Sequence, residues 1–303
     1  MNDSEKKLNG FESFSKKITA LIMLVAITPV MFVTGIVVER YNRSYQAKTI
    51  SHLEALVQKN ARMVDSFLQE RLNNISFLVR EYSCEELMDP VFLSHRLTNL
   101  RDEYGHVFQD MGFVNAEGRQ IAYAGSYDLQ NAQYAGADWF KQAIAEDRTI
   151  SDAFLGLRGF PHCIVTVTKT CNQKWVLRAT IDFSAFSSMV EQLRIGRTGH
   201  AFIINKKGDF QTREPNGYTG IRPGQALADS QESDYLRLTA PLKGGDWLLV
   251  VLQKRADAFE DILRTHKIAF GAFFFGLVAS VITAIGVPTV ILSRLTVNKV
   301  SNG

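Results

Sequence analysis

Cysteine, histidine and proline are scarce in this chain, at three, six and seven residues among 303. No Cys or His spacing matches a metal-ligand pattern, so no metal is expected. The cysteines, Cys84, Cys163 and Cys171, form an odd set, which leaves at least one thiol unpaired within the chain. Cys163 and Cys171 sit at opposite ends of one predicted strand, about 26 Å apart at about 3.3 Å per residue, far beyond disulfide reach. Each cysteine is therefore read as a lone structural residue. Catalytic signatures are missing as well: no HExxH, no phosphate-cradling glycine loop and no Ser/His/Asp set is recognisable, and neither catalysis nor a cofactor is expected. The net charge is only +3, with no Lys/Arg block beyond the flanks of two apolar runs, which speaks against nucleic-acid binding.

Charge is wholly absent from two long stretches, residues 18–38 and 268–292. A bilayer core of about 30 Å needs roughly 20 apolar residues in helical form, so both are long enough to span it. The first is too long for a signal-peptide core and lacks a small-residue cleavage site, which makes it an uncleaved anchor. Lys6, Lys7, Lys16 and Lys17 precede it and hold the N-terminus in the cytoplasm, placing the middle of the chain outside a bacterial inner membrane, in the periplasm or beyond the cell. Gly276, Ser280 and Ala284 recur at four-residue intervals in the second run, a small-residue stripe that suits close helix approach and a homodimer in contact with membrane lipid.

Glycine and proline are missing from residues 41 to 82, where Ile50, Leu53, Val57, Val64, Leu68, Leu72, Ile75 and Val79 recur at helical spacing. The pattern predicts one long amphipathic helix. After Pro90 strands and turns are expected: 107–115 and 119–124 as a hairpin, a polar excursion over 125–137, a helix over 138–145, then strands over 162–169 and 174–182. A second round follows as 201–205, 209–212, 234–241 and 246–252, with a connecting helix after residue 254. Two rounds of hairpin, excursion and hairpin imply two related α+β modules in series.

In that order the chain resembles the double Cache (dCache) sensor regions of bacterial transmembrane receptors. The matching residues are Asp138 to Ala143 after the first hairpin, Ile181-Asp182-Phe183 closing the first sheet, Gly196 to Asn205 opening the second module, and Gly245-Asp246-Trp247 near its end. The resemblance implies two PAS-like (Cache) modules in tandem on one long N-terminal helix, flanked by two transmembrane helices. The segments would be a cytoplasmic N-terminus (1–17), a first span (18–38), a stalk helix (39–89), a membrane-distal module (90–190), a membrane-proximal module (191–253), a connecting helix (254–267), a second span (268–292) and the cytoplasmic start of an output region (293–303). Residues Val176 to Phe183 with Ile195 to Gly199 look most like the sensor half of a two-component histidine kinase; a chemoreceptor, a diguanylate cyclase sensor half, or a membrane-anchored binding protein without output are the alternatives. The amino-acid-binding subtype has an Arg two residues before the Trp, a Tyr after it and a downstream Asp, and Ala137, Phe140 and Gly156 stand in those places. The expectation is thus a small extracytoplasmic ligand, anionic and not an α-amino acid.

A turn at Cys171-Asn172-Gln173 pairs Thr168 with Val176, Thr166 with Arg178, Ile164 with Thr180 and His162 with Asp182. Side chains alternate faces along a strand, so Cys163, Val165, Val167, Trp175, Leu177, Ala179 and Ile181 share the face suited to the long helix. The other face carries His162, Ile164, Thr166, Thr168, Arg178, Thr180 and Asp182, and is either solvated or the floor of a cavity roofed by the excursion. As a cavity it would join apolar walls, Tyr123, Tyr134, Trp139, Phe140 and Phe154, to a few polar anchors. Arg178 would offer its planar fork to a carboxylate or phosphate, His162 would be held charged by Asp182, and Arg158 would close over the anion.

Overall fold

The computed structural model describes residues 3–215 and 234–260, with residues 267, 270–271, 273–278 and 280–282. Two compact units divide the chain, Met1–Ser51 with Phe259–Gly303, and His52–Ala258. Helix α1 runs Asp3–Glu81, far beyond the start at residue 41 set by the amphipathic stripe. Its first part lies in the first unit, where Leu24, Phe32 and Val37 are exposed. Among the described residues no helix is long and apolar enough to cross a membrane. Several side chains of residues 18–38 lie outside the description, as do most of 268–292, Ala284 of the small-residue stripe, and 293–303. Both spans therefore rest on the sequence.

Within the second unit the stripe of α1 is buried at Leu53, Val57, Ala61, Val64, Leu68, Leu72, Ile75 and Val79. Each fully buried aliphatic side chain stabilises the fold by roughly 1.5–3 kcal/mol relative to exposure. The stalk helix expected over 39–89 breaks after Glu81, with α2 over Cys84–Met88 as a separate helix, and α3 over Pro90–Tyr104 follows where no helix was expected. Their signals are local. Ser83 and Glu86 form a reciprocal capping box, and Asp89 caps α3 with Pro90 at its first position.

Five strands, β1 (Phe108–Val114), β2 (Gln120–Ala124), β3 (Arg148–Ile150), β4 (Cys163–Thr170) and β5 (Lys174–Ile181), form one antiparallel sheet in the order β2-β1-β5-β4-β3. The short edge strand β3 was not foreseen. The β4–β5 register pairs Thr166 with Arg178 and Ile164 with Thr180, as the turn chemistry predicts. One sheet face, with Met111, Phe113, Val165, Leu177 and Ala179, shares a core with the α1 stripe. On the other face Val114, Ile164 and Val176 pack with Tyr134, Trp139, Phe140 and Ala143, the last three on helix α4 (Asp138–Glu146).

Helix α5 (Phe183–Glu191) leads to a three-stranded sheet of β6 (His200–Asn205), β8 (Trp247–Lys254) and β7 (Tyr235–Leu242), in that order. The hairpin expected over 201–212 reduces to one bridge between Ile204 and Phe210; β6 pairs along its length with β8 instead. Of the connecting helix, α6 (Arg255–Ala258) is described. Asp257 ties it to the Gly196-Arg197-Thr198 turn, accepting from both backbone N–H groups of Arg197 and Thr198, from Thr198 Oγ1 and from Gln253 Nε2. Gly196, at φ +71°, leaves no room for a Cβ between Gln253 and Asp257.

The cysteine reading is corrected in part. Cys84 and Cys171 form a disulfide with Cα atoms 6.1 Å apart, joining α2 to the β4–β5 turn, while Cys163 is free and buried. Eighty-seven residues separate the pair, so the contact depends on a fold that sequence spacing does not reveal. A disulfide suits an oxidising compartment.

Candidate functional site

Across the second face of the five-stranded sheet runs a row of Tyr123, Gly112, Arg178, Thr166 and Thr149. Arg178 is 1 % exposed and Asp110, beside it, 0 %. The Arg178 guanidinium donates from Nη1 to Asp110 Oδ1 at 2.8 Å and Thr180 Oγ1 at 3.3 Å. It also donates from Nε and Nη2 to Gln120 Oε1 at 2.9 and 2.6 Å, and from Nη2 to Tyr134 Oη at 3.3 Å. Those contacts engage all five of its donors. Burial, the largest single influence, pulls the guanidinium pKa down, but the Asp110 charge and hydrogen bond together with Tyr134 and Tyr123 outweigh it and hold the group above its ordinary value.

Arg178 lines the cavity, but its donors meet Asp110, Thr180, Gln120 and Tyr134, so the fork expected for a ligand anion is turned to an internal carboxylate. Gln120 Nε2 donates to the Leu129 carbonyl, and the ring of Tyr134 lies 5.3 Å from the guanidinium, so the node ties the excursion to the sheet at Leu129 and Tyr134. Gly112 is required here, because a Cβ would collide with the Gln120 amide and Arg178 Nε. Thr180 donates to Asp110, Thr166 pairs with Thr149 Oγ1 at 2.6 Å, and Tyr123 Oη donates to Asp110 Oδ2 at 3.2 Å. These side chains are buried in the platform, not presented from it.

Above the platform lies a cavity of about 810 Å³. Its apolar lining comes from Leu129, Tyr134, Trp139, Phe154, Leu157 and Ile164. Trp139 meets Tyr134 edge to face with ring centroids 5.0 Å apart. Phe140, packed against Trp139, is buried and does not line the cavity. Phe154 and His162 form a backbone bridge, and their rings meet at a tilt with centroids 4.5 Å apart, closing the loop between them. Gly156, at φ +53°, sits so close to both rings that a Cβ would be 2.7 Å from His162.

Two further anchors are corrected. Asp182 caps α5, accepting from the Ala185 N–H at 2.8 Å, and does not hold His162, whose Nδ1 meets the Phe160 carbonyl at 2.8 Å. Arg158 has its backbone in a short 3-10 turn over Gly156–Arg158, and its side chain lies outside the described residues.

The lining also includes side chains that sequence reasoning did not single out. Asp152, in the loop after β3, accepts from Trp247 Nε1 at 2.7 Å and Asn205 Nδ2 at 3.0 Å, with Lys243 Nζ at 3.7 Å. Asn205, Lys206, Lys207, Asp209, Lys243 and Asp246 continue the lining from the second module. No local pattern marks Asp152 or Asp110, since each acquires its role from a strand distant in sequence.

A Cache domain family model matches residues 41–262. No curated protein matches the chain. Among solved structures, the ligand-binding domain of the Pseudomonas aeruginosa PAO1 amino acid chemoreceptor PctB, in complex with L-Gln, is similar at TM-score 0.55 and 15% identity, over 73% of this chain and 98% of that one. The ligand-binding domain of the Pseudomonas fluorescens chemoreceptor CtaA, in complex with L-leucine, is similar at TM-score 0.54 and 13% identity, over 72% and 99%. An extracellular ligand binding receptor from Desulfohalobium retbaense DSM5692 is similar at TM-score 0.53 and 12% identity; the chain covers 39% of its length, and 65% of this chain is matched. These likenesses establish a shared fold. They also overturn the expectation of a ligand outside the α-amino acids, since neighbours of this fold carry L-Gln and L-leucine.

Proposed function

The chain belongs to the Cache domain family, extracytoplasmic ligand-binding sensor modules, and from that premise we propose that the cavity over Arg178 binds a small zwitterionic molecule of the amino-acid class. The observation that carries this reading is the cavity itself: an aromatic wall of Tyr134, Trp139 and Phe154 beside carboxylates and ammonium groups of both signs. An apolar wall that can hold a side chain beside charged groups that can meet an ammonium and a carboxylate is the make-up a zwitterionic small molecule requires. The amino acids bound by PctB and CtaA give the class to test first. With Ala137 at the subtype's Arg position, the ligand carboxylate is met elsewhere in the lining.

Residues 18–38 and 268–292 anchor the chain in a bacterial inner membrane, with the Cache region outside. The sequence between Val176 and Gly199 favours the sensor half of a histidine kinase. The second reading, a chemoreceptor, is supported by the chemoreceptor neighbours. Titration calorimetry of the purified chain against the twenty L-amino acids tests the binding claim: saturable heat lost in Trp139→Ala supports it, and heat unchanged in that variant refutes it. A phosphoacceptor histidine encoded downstream of Gly303 supports the kinase reading; a methyl-accepting coiled coil overturns it in favour of a chemoreceptor.

A further inference from the structure

The cavity's lining is drawn from two modules, although the platform and aromatic wall belong to the first alone. The junction is built, since Asp152 receives hydrogen bonds from Trp247 and Asn205 and so fixes the 205–209 turn against the loop that carries Phe154. That turn is itself ordered, with Asn205 Oδ1 accepting from the N–H groups of Lys207 and Asp209, each at 2.9 Å. Lys206 and Lys207 are thereby set on a rigid element at the cavity. Lys206 pairs with Asp246 at 2.7 Å, yet both side chains are more than half exposed, and an exposed pair of this kind contributes little and is readily exchanged. The volume of about 810 Å³ lies toward the upper end of the roughly 300–1,000 Å³ typical of ligand clefts, more than one free amino acid fills.

We propose that the occupant is a short peptide of two or three residues, read by both modules: an apolar side chain rests against Trp139 and Phe154, and the C-terminal carboxylate meets Lys206 and Lys207. The inference rests on the function proposed above and narrows its ligand. Binding then bridges the modules directly, and the proximal module shares in recognition.

The test is thermal stabilisation of the purified full chain by three probes at equal concentration: L-leucine, Leu-Leu and Leu-Leu-Leu. The di- or tripeptide should stabilise more than the free amino acid. Lys206→Ala with Lys207→Ala should weaken peptide affinity about a hundred-fold or more, the loss of two charge-assisted contacts at about ten-fold or more each. Lys59→Ala, on the exposed face of α1, should leave it unchanged. Peptide binding lost in Trp139→Ala but untouched by the lysine pair confines recognition to the distal module and overturns this inference alone. Stabilisation by free L-leucine with none by the peptides does the same. Stabilisation by none of the three overturns it, and binding insensitive to Trp139→Ala overturns both readings.

Discussion

Replacing Arg178 with leucine removes a charge that is 1 % exposed and leaves Asp110, at 0 %, without its cation. Breaking a buried ion pair from one side costs about 3–5 kcal/mol, because the remaining charge is desolvated and uncompensated. For a unit of about 200 residues each kcal/mol lowers Tm by about 2–4 °C, so the melting point should fall by roughly 6–20 °C. The deficit should narrow as pH falls, because a buried carboxylate with no cation nearby takes up a proton more readily than in the unfolded chain. Replacing both partners, Asp110→Leu with Arg178→Leu, should recover most of the loss, since no orphan charge then remains. Thermal melts of the purified chain at pH 7 and pH 5 provide the assay. An Arg178→Leu variant that melts with the parent at pH 7 but no longer binds ligand would refute the structural role and restore Arg178 as a ligand anchor.

Reduction of the Cys84–Cys171 disulfide, or Cys84→Ser with Cys171→Ser, should lower stability by about 2–4 kcal/mol through the long loop it closes, read as a melt with and without reductant. Asp257 has burial working against its charge, but its four donors prevail and hold its pKa at about 2. The stability it contributes is present above about pH 4 and lost as pH falls toward 2; Asp257→Asn should therefore lose about 2 kcal/mol at pH 7 and converge with the parent in acid, measured by denaturant titration across pH. Asp152→Ala removes the acceptor of Trp247 Nε1 and should red-shift and quench tryptophan emission and speed amide exchange in β6 and β8, with the β4–β5 pair unchanged.

The β4–β5 register was legible because a compact turn and strict alternation determine it locally: Thr166 opposite Arg178 follows from counting back from Asn172. The burial of α1 followed from its stripe, and its full length was hidden only by the change from an all-apolar to an amphipathic pattern near residue 41. The capping signals of α2 and α3 lie at Ser83, Glu86, Asp89 and Pro90, but the helical pattern that ran the stalk on to residue 89 masked the break they mark. The Asp110 partner of Arg178 could not be read, because β1 lies between β2 and β5 and its pairing with β5 bridges about seventy residues of chain. The same distance hid the Cys84–Cys171 bridge and the Asp152 junction. The sequence points Arg178 at a ligand outside the protein, whereas its carboxylate partner lies four strands away in sequence and adjacent in space.

The central claim is that ligand enters over the platform of the first module. Hydrogen–deuterium exchange of the full chain, with and without the best-stabilising amino acid or peptide, tests it most directly. Protection concentrated in residues 129–142 and 151–164, the roof and the Phe154–His162 loop, is the predicted result. Protection confined to residues 188–201, around the separate cavity lined by Glu191, Arg194 and His200, would contradict it.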